Sequence, residues 1–259
     1  MLTGDSPPST QSGGLFEPRN RRTRRSGVKK VTTCFTSGLA LVALLVTVVA
    51  TITVLSQGNV RLLRPGTHLI KPPPLQSGQQ WFGLQHSGER WELVKVVPKI
   101  VPARAICGDY ATQIAVDGID GLLFLVSGVP NLSAGPVAAT IDKPRFLYPG
   151  EAVEVGQAGD DDTLEARGTA IREEGGVVFT NYTLWFRHGR QTQRVAVFQR
   201  NTLDHPRQLM WAGDLNRDGR PDFLFDFPLG DVGNHYVLFL SSSDGPLLSK
   251  VATFSTPGC

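Results

Sequence analysis

The chain of 259 residues predicts an all-β fold, an antiparallel sandwich or irregular barrel-like ectodomain behind one N-terminal transmembrane helix. Three observations predict this. From about residue 80 onwards, short apolar runs alternate with turns rich in Gly, Asp and Pro, which is typical of strands. No amphipathic helical pattern of more than a few turns follows residue 60. Near the N-terminus, residues 37–55 form a long apolar run without charge.

Residues 1–32 are predicted to be a disordered, basic cytoplasmic tail, because they are rich in Ser, Pro, Gly and Arg and poor in large apolar groups. Residues 1–30 carry two acidic and seven basic side chains, the latter being Arg19, Arg21, Arg22, Arg24, Arg25, Lys29 and Lys30. Residues 31–259 carry 19 basic and 21 acidic side chains. The basic isoelectric point of the chain, about 8.9, therefore comes from the tail. Because the remainder is nearly neutral, we expect no nucleic-acid partner for it.

Residues 33–56 are predicted to be a transmembrane helix. The run 37–55 has nineteen residues without charge or proline. At about 1.5 Å of rise per residue, it spans nearly 30 Å, the thickness of the hydrocarbon core of a bilayer. A cleaved signal peptide and a buried core helix are the alternatives. Signal peptides usually have a shorter apolar stretch and a small-residue exit site, and core helices usually have a polar face. We therefore expect a retained anchor in the lipid bilayer.

Charge asymmetry predicts the orientation of this anchor. Seven basic residues precede the span, whereas the first ones after it are Arg61 and Arg64. Because loops rich in Lys and Arg stay in the cytoplasm, the N-terminus is expected there and the C-terminal domain in the periplasm or outside the cell.

After the span, residues 57–79 are predicted to be a Pro-rich linker, since the run 72–74 is three prolines and favours an extended spacer. Residues 80–259 are predicted to be the β domain. The apolar runs that we interpret as its strands lie at 80–86, 91–97, 113–116, 122–128, 144–148, 152–156, 163–171, 177–189, 194–199, 223–225, 235–243 and 246–254.

Cys107 and Cys259 are the two cysteines of the predicted outer domain. In an oxidising compartment they are candidates for a disulfide that joins the start of the domain to its end. Two free thiols are the alternative.

The sharpest motif lies between two apolar runs, at residues 211–227. It has the pattern D-x-N-x-D-G-x-x-D, formed by Asp214, Asn216, Asp218, Gly219 and Asp222. Side chains at alternate positions direct their oxygens towards one point, and the glycine allows a sharp turn. Such hard oxygen ligands suit Ca²⁺, with the backbone carbonyl of the residue after Gly219 as a further ligand.

An EF-hand begins in the same way but is excluded here. Its loop requires a bidentate Glu at the twelfth position, which is Phe225 in this chain. The residues around Phe225 also favour a strand and not a helix.

The motif resembles the FG-GAP, or VCBS, repeat of integrin α-subunits and bacterial surface proteins, in which the loop binds calcium between two strands. The resemblance covers about fifteen residues and occurs once, so a full propeller is not expected. It implies that the side-chain ligands are Asp214, Asn216, Asp218 and Asp222, and that Arg220 contributes its carbonyl oxygen. The alternative is a turn without metal, because Asp, Asn and Gly favour turns on their own.

No nucleophile, phosphate-loop, dinucleotide or zinc motif occurs in the sequence. We therefore expect no catalysis, and a membrane-tethered, calcium-stabilised module that binds an envelope protein or a polysaccharide. The alternative is an extracytoplasmic hydrolase that acts on a cell-wall or surface polymer. A third hypothesis is a structural partner in an envelope complex.

Overall fold

A computed structural model describes residues 60–106, 109–157, 159–173, 176–198, 206–227 and 233–256. These residues lie in one compact unit, Ile52–Cys259. The predicted tail, the predicted transmembrane helix, Cys107 and Cys259 lie outside the described residues. Within the described part, no helix is long and apolar enough to cross a membrane.

The described residues form strands and loops without helix, which confirms the all-β class. In chain order the strands are β1 (Arg61–Leu63), β2 (His68–Leu69), β3 (Trp81–Ser87), β4 (Arg90–Val96), β5 (Lys99–Ile106), β6 (Asp109–Ala115), β7 (Leu122–Ser127), β8 (Gly135–Val137), β9 (Ala139–Ile141), β10 (Arg145–Leu147), β11 (Ala152–Glu154), β12 (Asp162–Glu173), β13 (Gly176–His188), β14 (Gln191–Phe198), β15 (Arg207–Gly213), β16 (Asp222–Asp226), β17 (His235–Ser241) and β18 (Leu248–Ser255).

Four antiparallel sheets are built from these strands, and none of them closes into a barrel within the described ranges. The first sheet has the order β1-β7-β3-β4-β8, and the small sheet has the order β2-β6-β5. The central sheet has the order β10-β15-β16-β17-β18, with β9 also paired to β15. The arm sheet has the order β11-β12-β13-β14. The barrel alternative of the sequence analysis is therefore not what the described residues form.

The central sheet is buried on both faces. All five residues of β16 are buried, and successive side chains enter different cores because a strand alternates its side chains. Leu224 packs in a core shared with the first sheet, where the rings of Trp91 and Trp211 lie 6.4 Å apart. Phe223 packs in a core shared with the arm sheet, where its ring lies 5.3 Å from that of Phe186. The sheets therefore stack in three layers.

The region predicted as a linker differs from that prediction. Residues 61–63 form β1 and pair with β7, and Leu62 and Leu63 are each 3% exposed. Residues 68–69 form β2, whereas residues 70–79, which include the proline run without backbone donors, lie outside the strands. The folded domain therefore begins before residue 80, because these two leucines complete the edge of the first sheet and enter its core.

Adjacent strands that were predicted from short-range pattern pair as hairpins in β3–β4, β12–β13–β14 and β17–β18. The adjacent strands β6 and β7 form no hairpin, since β6 pairs with β5 and β7 pairs with β3. Strand positions thus followed from local pattern, whereas this pairing depended on the other strands.

Candidate metal-binding loop

The predicted calcium loop connects β15 to β16 in the central sheet. Its entry is fixed by Gly213, where an added Cβ would lie 2.3 Å from the carbonyl oxygen of Ala138. The next amide, of Asp214, donates to that carbonyl oxygen at 2.9 Å. Only glycine permits this close approach, so the loop leaves the sheet at a defined point.

Three side chains of the motif curl around one turn. The two carboxylate oxygens of Asp214 accept the amides of Asp218 at 2.9 Å and of Gly219 at 3.0 Å. Asn216 Oδ1 also accepts the amide of Asp218, at 3.1 Å. Asp218 Oδ1 accepts the amide of Arg220 at 3.0 Å. The alternate spacing thus brings these oxygens to the inside of one turn.

The turn depends on two residues with left-handed backbone. Arg217 has φ 60° and Gly219 has φ 84°. Gly219 adopts this conformation at no steric penalty, whereas Arg217 is held there by its side chain. The Arg217 guanidinium donates to Ser133 Oγ and to the carbonyl oxygens of Ser133, at 3.1 Å, and Pro136, at 3.4 Å.

Asp222 lies at the start of β16 and is completely buried. Its Oδ2 accepts the amides of Leu215 at 2.8 Å and Asn216 at 3.1 Å. Its Oδ1 accepts the amide of Ser241 at 2.7 Å and the hydroxyl of Ser241 at 2.9 Å. A carboxylate offers about four lone-pair positions, so protein donors occupy all of them in this conformation. Asp222 therefore fastens the loop to the end of β17.

Ser241 is a site residue that the sequence analysis missed. Its hydroxyl oxygen lies 2.9 Å from Asp218 Oδ1 and 2.9 Å from Asp222 Oδ1, so it bridges two carboxylates with a single hydrogen. The register of β16 and β17, in which Phe223 faces Phe239, brings it there. No spacing rule connects residues 222 and 241, so only the sheet pairing reveals this contact.

The loop concentrates negative charge. Burial raises the pKa of Asp222 to about 7, and the neighbouring Asp218 carboxylate contributes to that rise. Burial also raises the pKa of Asp214. The ion pairs within the described ranges are Lys99–Asp117, Arg167–Glu165 and His188–Asp162, so none of them includes a loop carboxylate.

The donor set fits a hard cation such as Ca²⁺, although the side chains do not form a finished shell around one point. Within the described residues, no group of three or more His, Cys, Asp or Glu side chains is arranged to hold a metal ion. Asp214 and Asn216 keep lone pairs beyond their amide bonds, whereas Asp222 has none to spare. Asp222 would have to exchange a protein donor for the ion in order to become a ligand.

Two carboxylates line an open groove of about 690 Å³ elsewhere in the molecule. Glu89 and Asp142 are both exposed, and Trp91 forms part of the wall. This groove is the feature closest to the cleft that the hydrolase alternative requires.

Most of the large aromatic side chains near the strand ends and hairpins are core residues. Trp81, Phe82, Trp91 and Phe186 are all buried. Trp185 is half-buried, and the Arg167 guanidinium lies 4.8 Å from its ring.

No protein-family model, curated protein or solved structure matches this chain.

Proposed function

We propose that the chain is a membrane-tethered, extracytoplasmic module in which a layered β-sandwich is stabilised by Ca²⁺ and binds an envelope protein or polysaccharide without catalysis. One observation supports the proposal most. Asp214, Asp218 and Asp222 lie within one short loop, and no described basic side chain forms an ion pair with them. A divalent cation would balance this charge.

The residues that would hold the ion are those of the motif. Asp214, Asn216 and Asp218 would contribute side-chain oxygens, Arg220 its carbonyl oxygen and Asp222 its carboxylate. The spacing resembles that of the FG-GAP or VCBS loop, which supports the same assignment. The ion would supply positive charge and hold the loop closed, and the chain's own hydrogen bonds to Ser241 would transmit that order to β17.

The tether is proposed from the apolar run 37–55 and the basic residues before it. Protease digestion of sealed spheroplasts tests it. Residues 60–259 should be cleaved while the basic tail is protected, and a tag on residue 259 should be lost. Recovery of the intact chain in a soluble cytoplasmic fraction would contradict the tether.

Calcium is tested by thermal unfolding of the full chain in detergent, with Ca²⁺, with Mg²⁺ and with chelator. At ten times its dissociation constant, Ca²⁺ should stabilise the domain by about 1.4 kcal/mol, which is a shift of roughly 3–6 °C. The double variant Asp214→Asn with Asp218→Asn should lose the shift. The exposed Asp142→Asn is the matched control and should keep it. No shift in the native chain would remove calcium from the proposal.

The second candidate function is a polymer hydrolase, which the groove between Glu89 and Asp142 favours. Two carboxylates facing one groove are what glycoside hydrolysis requires. Release of soluble fragments from cell-wall material by the native chain, lost in Glu89→Gln and in Asp142→Asn, would establish this alternative over the binding module.

A further inference from the structure

The two central strands of the arm sheet extend beyond their neighbours. β11 pairs with β12 only at Thr163–Glu165, and the backbone of Ala166 makes the last hydrogen bonds on that side. On the other side of the sheet, β14 pairs with β13 from Tyr182 onwards. Within the described residues, the outer edge of β12 from residue 167 to residue 173, here called the arm edge, has no strand partner.

The arm edge is exposed along its whole length. Ile171 on this edge is 43% exposed, and Val177 on the facing strand is 37% exposed. An exposed strand edge with free N–H and C=O groups and apolar side chains is a template for pairing with another strand.

We propose that the arm edge pairs antiparallel with the arm edge of a second copy of this chain, across a two-fold axis at Ala170. This interaction surface is independent of the calcium loop, because the two share no residue.

Backbone direction limits the possible registers. The amide of Ala166 donates to Glu151 O at 2.9 Å and its carbonyl accepts from Gly150 at 2.7 Å, so the backbone groups of Ala166 face outward. The β12–β13 ladder is irregular between the pairs Arg167–Thr183 and Thr169–Thr180. Between these pairs β12 advances by two residues and β13 by three, so the extra residue lies in β13. The alternation of β12 is therefore unbroken, and Gly168, Ala170 and Arg172 also face outward.

A two-fold axis at Ala170 pairs all seven residues of the arm edge. It places Gly168 opposite Arg172 of the second copy, and Thr169 opposite its Ile171. It also places Arg167 opposite Glu173 of the second copy, and the symmetry repeats that pair of opposite charges. A shift by two residues in either direction pairs only five residues and places no opposite charges face to face. The edge is therefore complementary to itself in one register.

Arg167 has donors available for this contact. Its Nε and Nη2 donate to the two carboxylate oxygens of Glu165 at 2.8 and 2.7 Å. A guanidinium has five N–H donors, so the remaining ones can reach Glu173 of the second copy. The side chain of Arg167 is 50% exposed and already extended along this face by its stacking on Trp185.

Cysteine cross-linking of the full chain in membranes tests the register. Cys34, Cys107 and Cys259 are first replaced by Ser. The two copies of residue 170 would lie about 5.5 Å apart between Cα atoms, within disulfide reach. Ala170→Cys should give a disulfide-linked dimer on mild oxidation. Arg172→Cys, which is equally exposed but faces residue 168 of the second copy, should give several-fold less. Equal cross-linking at the two positions, or none at either, would overturn the proposal.

Association of the full chain in detergent tests the edge itself. The native chain should form a dimer by sedimentation equilibrium at concentrations up to roughly 100 µM. Ala170→Pro removes an outward amide without touching the β13 ladder, and it should abolish the dimer while the far-UV circular dichroism spectrum of the folded chain is kept.

Charge reversal provides a second route. Glu173→Lys and Arg167→Glu should each be monomeric, and a mixture of the two should recover a mixed dimer because their charges are then complementary. The exposed Glu89→Lys is the control and should dimerise like the native chain. A dimer indifferent to Ala170→Pro and to charge reversal, or a native chain that stays monomeric throughout, would overturn the proposal.

Discussion

The candidate metal-binding loop, residues 214–222, and the arm edge both lie at the margins of sheets, and they differ in how their backbone hydrogen bonds are satisfied. In the loop, the side chains of Asp214, Asn216 and Asp222 accept the backbone amides that the turn leaves free. In the arm, the backbone groups facing outward beyond Ala166 have no strand partner in the described part of the chain. The loop therefore has satisfied backbone hydrogen bonds and excess negative charge, whereas the arm edge has backbone groups without a strand partner in the described residues and charged side chains of both signs. The first arrangement favours a cation, and the second favours another strand.

The largest change in the free energy of unfolding is expected when packing is removed from the central sheet. Phe225 is completely buried and packs against Phe223, Phe227 and Phe239. Phe225→Ala should lower the free energy of unfolding by about 3–5 kcal/mol, because the cavity cannot collapse between two packed faces. Ile171→Ala on the arm edge should change it by less than about 0.5 kcal/mol in the monomer. Urea denaturation measures both, and equal effects would contradict the layered core.

Removal of the Asp222 carboxylate should have the next largest effect. Asp222→Ala leaves the buried amides of Leu215 and Ser241 without acceptors, which should cost about 2–4 kcal/mol in chelator. Asp218→Ala, on the same loop but exposed, should cost about 1 kcal/mol or less. Chemical denaturation of the two variants side by side provides the measurement. A neutral Asp222→Ala would show that the carboxylate does not fasten the loop.

The pH dependence of stability also tests the contribution of Asp222. The pKa of Asp222 is about 7 in the folded chain, above its ordinary value of 3.8, so the folded state holds the proton more tightly than the unfolded state. In chelator, its contribution to stability should be complete below pH 3.8 and be lost as pH rises through 7. The loss is on the order of 4 kcal/mol, from a rise of about three pKa units at about 1.4 kcal/mol each.

Burial raises the pKa of Asp226 as well, and this group acts in the same direction. Asp222→Asn should therefore flatten the pH profile without making it level. Ca²⁺ should oppose the loss, because the ion favours the ionised carboxylates. A stability that rises between pH 4 and 7 in chelator would contradict the assignment to Asp222.

The smallest effect is expected from the backbone of the turn. Gly219 has φ 84° and an added Cβ would meet nothing within 4 Å, so only conformational strain opposes a side chain there. Gly219→Ala should lower stability by about 1 kcal/mol, and Gly219→Asn by less, because Asn tolerates left-handed backbone. Thermal unfolding distinguishes the two. An equal effect of both would indicate a steric and not a conformational cause.

Local pattern predicted much of this molecule. Period-two alternation and turn residues located the strands β3, β4, β17 and β18, because both signals act over a few residues. The same short range explains the error over residues 57–79, where the prolines dominated the composition and the two leucines of β1 were overlooked.

The residues of the candidate site also fall into two groups, those that local spacing identifies and those that only strand pairing brings together. Spacing alone singled out Asp214, Asn216, Asp218 and Asp222, because the motif lies within one loop. It did not identify Ser241, which reaches Asp222 only because β17 lies beside β16.

By itself, then, the sequence determined the β class, most strand positions, the loop with its carboxylates and the apolar run before the domain. The tertiary structure alone decided that β6 and β7 enter different sheets, that the central sheet is covered on both faces and that the edge of β12 has no strand partner among the described residues. The physical reason is the distance along the chain over which each property is determined. A strand's conformation follows from its own residues, whereas its neighbours and its burial are set by competition among all strands for pairing and for apolar contact.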